Sequence, residues 1–362
     1  MMCYEAHGIQ CGRKNKKGKK IMDIKLKGKN FISSYTSAIV NCNLFVSDLK
    51  YHALYEIDIE KKLTRLCGVF NSGCRHKHTI HYGDELWLLP ESNKAGIIDI
   101  YNIGTMCFES ISLSPELVFD ENCRFSDVFQ DEMDSFVFWC MPCCASEIVK
   151  IDVKKRCIEM IPMEGINIDK DMVFISSLKI GSDIYICEKN RAYVYKYNLS
   201  DGMKCIYRND SIKYSLNKMI VYNNHIYLIP RVLSNPWIKI GLDGDYEGTI
   251  DFGVDSEKEF YTEVQFDNTI WAMPYLSKEA YKFDISIGKF EKVELVWENG
   301  EELSYWLSYR DEERACLSPV DITSPFLIMN THGMIDEIAT KGDTRDLEVL
   351  LAMINVNKKE WR

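Results

Sequence analysis

The sequence predicts an all-β chain folded as a β-propeller of seven blades, each a sheet of four antiparallel strands. Three observations predict it. A short strand pattern with an aromatic three residues before a proline or acidic residue recurs at intervals of about 45 residues. Each copy sits within a group of four short apolar or alternating runs, the signature of a small antiparallel sheet. Residues 22–340 then divide into seven units of about 46 residues.

The repeated second strand reads Leu44-Phe45-Val46-Ser47-Asp48, Leu86-Trp87-Leu88-Leu89-Pro90, Phe138-Trp139-Cys140-Met141-Pro142, Ile184-Tyr185-Ile186-Cys187-Glu188, Ile226-Tyr227-Leu228-Ile229-Pro230 and Ile270-Trp271-Ala272-Met273-Pro274. The aromatics are spaced by 42, 52, 46, 42 and 44 residues. Turn signals such as Gly83-Asp84, Gly181-Ser182, Asn223-Asn224 and Asp267-Asn268 precede the copies, as hairpin loops require. An alternating run follows each copy, for example Ile148–Val153 or Tyr281–Ile285, and a more polar run closes each unit, as in Thr64–Phe70. A four-stranded sheet cannot bury both faces alone, so the units must stack around an axis, with the repeated aromatics between neighbours. Proline suits the end of a strand because it cannot donate to the ladder.

A seventh copy is expected at Phe326–Asn330, followed by Met334–Ile338, 55 residues after Trp271. The long gap leaves room for an insertion at 298–314, where Leu303, Trp306 and Leu307 suit one helical face. The seventh unit then lacks its last strand, which Asp23–Lys27 can supply, closing the ring. Six blades are the alternative, and they leave 298–362 without a role. Residues 341–362 are expected to form a helical tail, with Leu347, Leu350, Leu351 and Ile354 on its apolar side.

Net charge is −10, while residues 1–21 hold six Lys and Arg against Glu5 alone. That basic leader is read as a disordered tail or as a start assigned ahead of Met22. The acidic body argues against nucleic acid as a partner, which requires a basic surface. No apolar run reaches the roughly 18 residues needed to span a bilayer, so no membrane association and a cytoplasmic location are expected. The 14 cysteines are scattered and often lie inside apolar strands, as thiols acting as small hydrophobes do.

In architecture, 22–340 resembles bacterial β-propellers of the Kelch and NHL-repeat kind, and Lys239–Gly244 is similar to the strand–turn phrase of NHL-like repeats. The chain has no Gly-Gly pair of a Kelch blade, no Trp-Asp ending and no sialidase box, so no family's catalytic residues carry over.

Sites belong on loops presented by a rigid scaffold, here the loops that follow the second and fourth strands. These loops and strand ends hold Arg75, His76, His78, Arg124, Arg191, Arg231, Asn235 and Tyr275, a set suited to an anionic or polyhydroxylated ligand. In a strand His76 and His78 point to one side and His81 to the other. Two of the three could therefore share one metal, no metal is expected, and His76 and His78 are the acid–base candidates if the protein is an enzyme. Cys140-Met141-Pro142-Cys143 lacks the second cysteine pair of a zinc site. No phosphate loop, serine elbow or zinc-protease motif occurs. The reading is therefore a non-enzymatic binding or scaffold propeller without cofactor or metal, holding a protein or carbohydrate-like ligand on its loop face and channel. A lyase or hydrolase acting on a sugar or peptide, and a structural subunit of a larger assembly, are the alternatives.

Overall fold

The computed structural model describes residues 22–26, 32–70, 72–91, 97–112, 125–144, 147–165, 172–297, 302–320, 324–333 and 335–338. Seven antiparallel sheets follow one another along the chain, and among the described residues there is no helix. The blades span Ser37–Val69, His76–Ser112, Phe125–Pro162, Phe174–Asn209, Leu216–Ile250, Phe260–Trp297 and Tyr305–Ile338. In each, strands pair in chain order from innermost to outermost.

Burial follows from that stacking. A second strand lies between two neighbouring sheets and is buried on both faces, so it reads as an apolar run. Leu86–Pro90 and Val137–Pro142 are buried throughout. An outermost strand such as Cys157–Pro162 has only exposed and half-buried positions. The repeated aromatics Phe45, Trp87, Trp139, Tyr185, Tyr227 and Trp271 are all buried. Each is worth roughly 1.5–3 kcal/mol of removed apolar surface.

The apolar core is divided into clusters, each shared by two adjacent blades. One joins the last blade to the first: Ile39, Leu44 and Val46 pack with Cys316, Phe326 and Ile338. At the same seam Ser37 Oγ lies 2.7 Å from Ser308 Oγ, and the Ser34 amide donates to the Pro319 carbonyl at 3.2 Å. The two end blades therefore meet through packing and hydrogen bonds.

Three expectations about the seventh blade are corrected. Residues 305–310 form its innermost strand instead of a helical insertion, because the consecutive apolar residues Tyr305-Trp306-Leu307 suit a strand covered by sheets on both sides. The second strand is Arg314–Pro319, so Phe326–Asn330 is the third. Cys316 stands where other blades carry the aromatic, three residues before Pro319 and 45 after Trp271. The strand Met22–Leu26 does not complete this blade. It runs parallel to Lys289–Trp297 as a fifth strand on the outer edge of blade six, because blade seven has its own fourth strand, Ile335–Ile338. The leader 1–21 and the tail 341–362 lie outside the described residues.

Candidate ligand-binding face

The N-terminal ends of the innermost strands and the C-terminal ends of the second strands meet on one face of the ring, with the loops that follow. In blades two to six the second residue of the innermost strand drops out of the pairing, as a β-bulge. The bulged residues are Lys77, Ser126, Ile175, Asn217 and Tyr261. A bulge reverses side-chain parity and re-aims its residue, so these strands do not alternate as an undistorted strand does.

The consequence is clearest for His76 and His78, which lie on opposite faces of blade two. His76 turns to blade one, where its Nδ1 accepts from Ser47 Oγ at 2.8 Å. Its Nε2–H donates to Asp99 Oδ2 at 3.0 Å. Asp99 also accepts from Ser110 Oγ at 2.7 Å and from Ser72 Oγ. Burial opposes ionisation of Asp99, yet the His76, Ser72 and Ser110 hydrogen bonds hold its carboxyl below the ordinary range. Burial pushes the His76 pKa down, so this serine–histidine–aspartate chain holds a neutral ring. Ser47, His76 and Asp99 are each no more than 2 % exposed, which makes the group a clamp between blades that substrate cannot reach.

His78 turns to blade three, where the Phe125 carbonyl accepts from its Nε2 at 3.0 Å. Burial, reinforced by the nearby Lys77 charge, drives its pKa to about 4, so it is neutral at physiological pH. The expected acid–base pair of His76 and His78 is therefore divided by the blade itself.

Around the axis, charged side chains bridge the innermost strands. Asp127 of blade three accepts from Lys218 of blade five at 3.0 Å. It also accepts from the Ser177 amide of blade four at 2.7 Å. Burial raises the Asp127 pKa, but Lys218 and the Ser177 amide together hold the carboxyl below the usual range. In blade six Glu263, 4 % exposed, accepts from Asn217 Nδ2, which is 2.6 and 2.7 Å from its two oxygens. Burial pushes the Glu263 carboxyl up to about 7 against the opposing pull of Asn217 and Lys218. Lys77 reaches the Phe125 carbonyl at 2.8 Å, and its Nζ is 5.7 Å from the centre of the Trp306 ring of blade seven. Tyr35, just before blade one, meets the same indole edge-on at 5.4 Å.

Between blades five and six the face carries a second aromatic group. The Arg231 guanidinium lies 3.9 Å from the Tyr261 ring centre and pairs with Glu259 at 3.1 Å. Tyr261 meets Tyr275 at 4.3 Å in a T-shaped contact and donates to Glu259 at 2.7 Å. Beside them Leu276 is 55 % exposed and holds a left-handed φ of 49°. A leucine does not choose that conformation. It is imposed: the Leu276 amide donates to Ser304 Oγ at 2.9 Å, while Ser277 and Leu303 exchange backbone bonds at 3.1 and 2.9 Å. The result is an apolar side chain fixed outward beside two tyrosines and an arginine.

Of the residues expected from sequence, Arg231 and Tyr275 converge through Tyr261, and Asn235 stands in the same loop, its side chain on the Val232 carbonyl at 3.2 Å. Arg191 lies on blade four, paired with buried Glu188 and 5.2 Å from the Tyr193 ring. Arg75 is exposed at the entry to blade two. The structure does not bring Arg75 and Arg191 into this cluster, and Arg124 lies outside the described residues. Tyr261, Leu276, Trp306, Lys77 and Glu263 were missed. For all but Leu276, which follows a second strand, the one legible signal is an aromatic or charged residue near the start of an innermost strand.

No protein-family model and no curated protein matches the sequence. Solved structures do resemble the fold. The YCF48 protein from Cyanidioschyzon merolae superposes with a TM-score of 0.62 at 10 % identity, covering 84 % of this chain and 97 % of that one. A streptogramin B lyase structure gives 0.59 at 11 % identity, covering 87 % and 95 %. YCF48 bound to D1 peptide gives 0.59 at 9 % identity, covering 86 % and 93 %. At such identities the likeness is one of architecture: the chain is a seven-bladed β-propeller, and its neighbours include both a peptide-bound protein and a lyase.

Proposed function

We propose that this propeller is a non-enzymatic binding module that holds a segment of another protein against the face where the innermost strands begin. The observation that carries the reading is the Arg231–Tyr261–Tyr275–Leu276 group. Tyrosine and arginine dominate the energetics of protein interfaces because they combine large contact area with polar tips. An exposed leucine held at positive φ is strain of the kind that collects at functional positions. Asn235 lies at the edge of this contact, Arg75 and Arg191 are peripheral contacts on the same face, and Arg124 belongs to the same expected set. The bridging of the axis by Lys77, Asp127 and Lys218 favours binding at the face over chemistry on a substrate held deep in the channel. Kinship with Kelch- and NHL-type propellers and residence in the cytoplasm form part of the same reading. The free, buried thiols of Cys140, Cys187 and Cys316 are compatible with a reducing compartment.

The test is selection from a displayed random-peptide library against the full chain, alongside a glycan array for the carbohydrate alternative. The wild type is expected to retain a peptide family. Tyr261→Ala and Leu276→Asp are expected to lose it while keeping the wild-type thermal transition. Tyr261→Ala should weaken binding by about 2 kcal/mol, roughly thirty-fold. Retention of glycans but no peptides, or equal peptide binding by both variants, contradicts the proposal.

A further inference from the structure

We infer that the bound segment presents a carboxylate to Lys77 at the channel mouth; this rests on the binding-face reading and gives the partner its chemistry. The bulge between His76 and His78 places Lys77 outside the sheet pairing, free to point towards the axis. Its ammonium has three donors. The Phe125 carbonyl takes one at 2.8 Å, and the Trp306 ring, 5.7 Å away, offers only its face. Among the described residues no carboxylate pairs with Lys77.

The surrounding charges do not cancel it. Lys218 and Asp127, 3.0 Å apart, neutralise each other. His78 is neutral, and burial keeps part of the Glu263 population protonated near neutral pH. The mouth is therefore a cationic point on a chain whose net charge is −10. Trp306 stands beside the ammonium, with Tyr35 edge-on against it at 5.4 Å, so apolar surface borders the place where an ion pair would form. An oppositely charged group docking there gains a charge-assisted hydrogen bond without displacing an existing ion pair. A carboxylate can come from an aspartate or glutamate side chain or from a C-terminus.

The experiment uses two peptide libraries on the full chain, one displayed with free C-termini and one with its C-termini joined to the carrier. An acidic residue at one fixed position in both libraries identifies the side chain as the source. Enrichment confined to free C-termini identifies the terminal carboxylate. For a synthetic peptide from either set, Lys77→Gln should weaken binding at least ten-fold. Neutralising the peptide carboxylate should weaken it as much, the two changes together should cost little more than either alone, and Lys77→Arg should retain affinity. Peptides retained without acidic enrichment, or indifference to Lys77→Gln, overturn this inference and leave the binding face standing. Preferential capture of a competing oligonucleotide overturns it as well. If neither library yields a peptide, the binding-face reading falls and this inference with it.

Discussion

Glu263 makes the fold sensitive to pH, and the effect has a definite sign. An ordinary glutamate carboxyl titrates near 4.5, whereas burial beside Asn217 and Lys218 moves this one to about 7. Below pH 4.5 it is protonated in both folded and unfolded chains, so folding carries no ionisation penalty there. As pH rises the unfolded chain ionises first, so folding must hold a proton that water no longer favours. Above pH 7 the fold instead carries a buried carboxylate. Stability attributable to this group is therefore complete at acid pH and lost between about 4.5 and about 7. At 1.36 kcal/mol per pH unit, the loss is about 3 kcal/mol. Glu263→Gln keeps the shape and an acceptor for Asn217 but cannot ionise. In urea unfolding followed by tryptophan fluorescence, wild type should lose about 3 kcal/mol more than Glu263→Gln between pH 4.5 and pH 8. Other groups titrate equally in both proteins and cancel in the comparison. Parallel loss in the two proteins, or a variant weaker at every pH, would refute the assignment.

Other substitutions test the clamp, the strained leucine and a blade contact. His76→Ala should destabilise by about 2–3 kcal/mol, because it takes one hydrogen bond from the buried Asp99 carboxylate, which keeps only Ser72 and Ser110; near-wild-type urea stability would contradict the clamp. Leu276→Gly should raise the thermal transition slightly, by about 1 kcal/mol of relieved strain, while lowering affinity for any retained peptide. A variant that loses both stability and binding would show the residue to be core packing instead. Gly244 has a φ of 95°, and a Cβ there would lie 2.1 Å from the Ile206 carbonyl oxygen. Gly244→Ala should therefore cost at least about 2 kcal/mol by calorimetry, since backbone at the blade four–five seam cannot yield cheaply.

Six blades were legible because their second strands obey two constraints at once. Burial on both faces demands an apolar run, and the strand end accepts proline. Trp87, Trp139 and Trp271 carry both marks. The seventh blade was counted, but its second strand escaped because Cys316 replaces the aromatic, while Phe326 in the third strand imitates it. Trp306 and Leu307 looked helical for a related reason: three closely spaced apolar residues fit either period until a neighbouring sheet is known. The candidate site was harder to read. Arg231 and Tyr275 could be placed on the correct face from loop position alone. Tyr261 and Lys77 could not, because a bulge depends on which residue the partner strand skips, and alternation in one strand does not record that. The His76–His78 pairing failed on the same bulge. The left-handed Leu276 was hidden as well, since its conformation is set by Ser277, Leu303 and Ser304, the last two lying across a blade seam.

The claim that one face of the ring holds a partner is tested most directly by hydrogen exchange of the full chain with and without a retained peptide. Protection is expected in 231–236, 260–263 and 275–278, with the turns Asn223-Asn224 and Asp267-Asn268 on the opposite face unchanged. Protection confined to those turns, or to the outer strands, would contradict it.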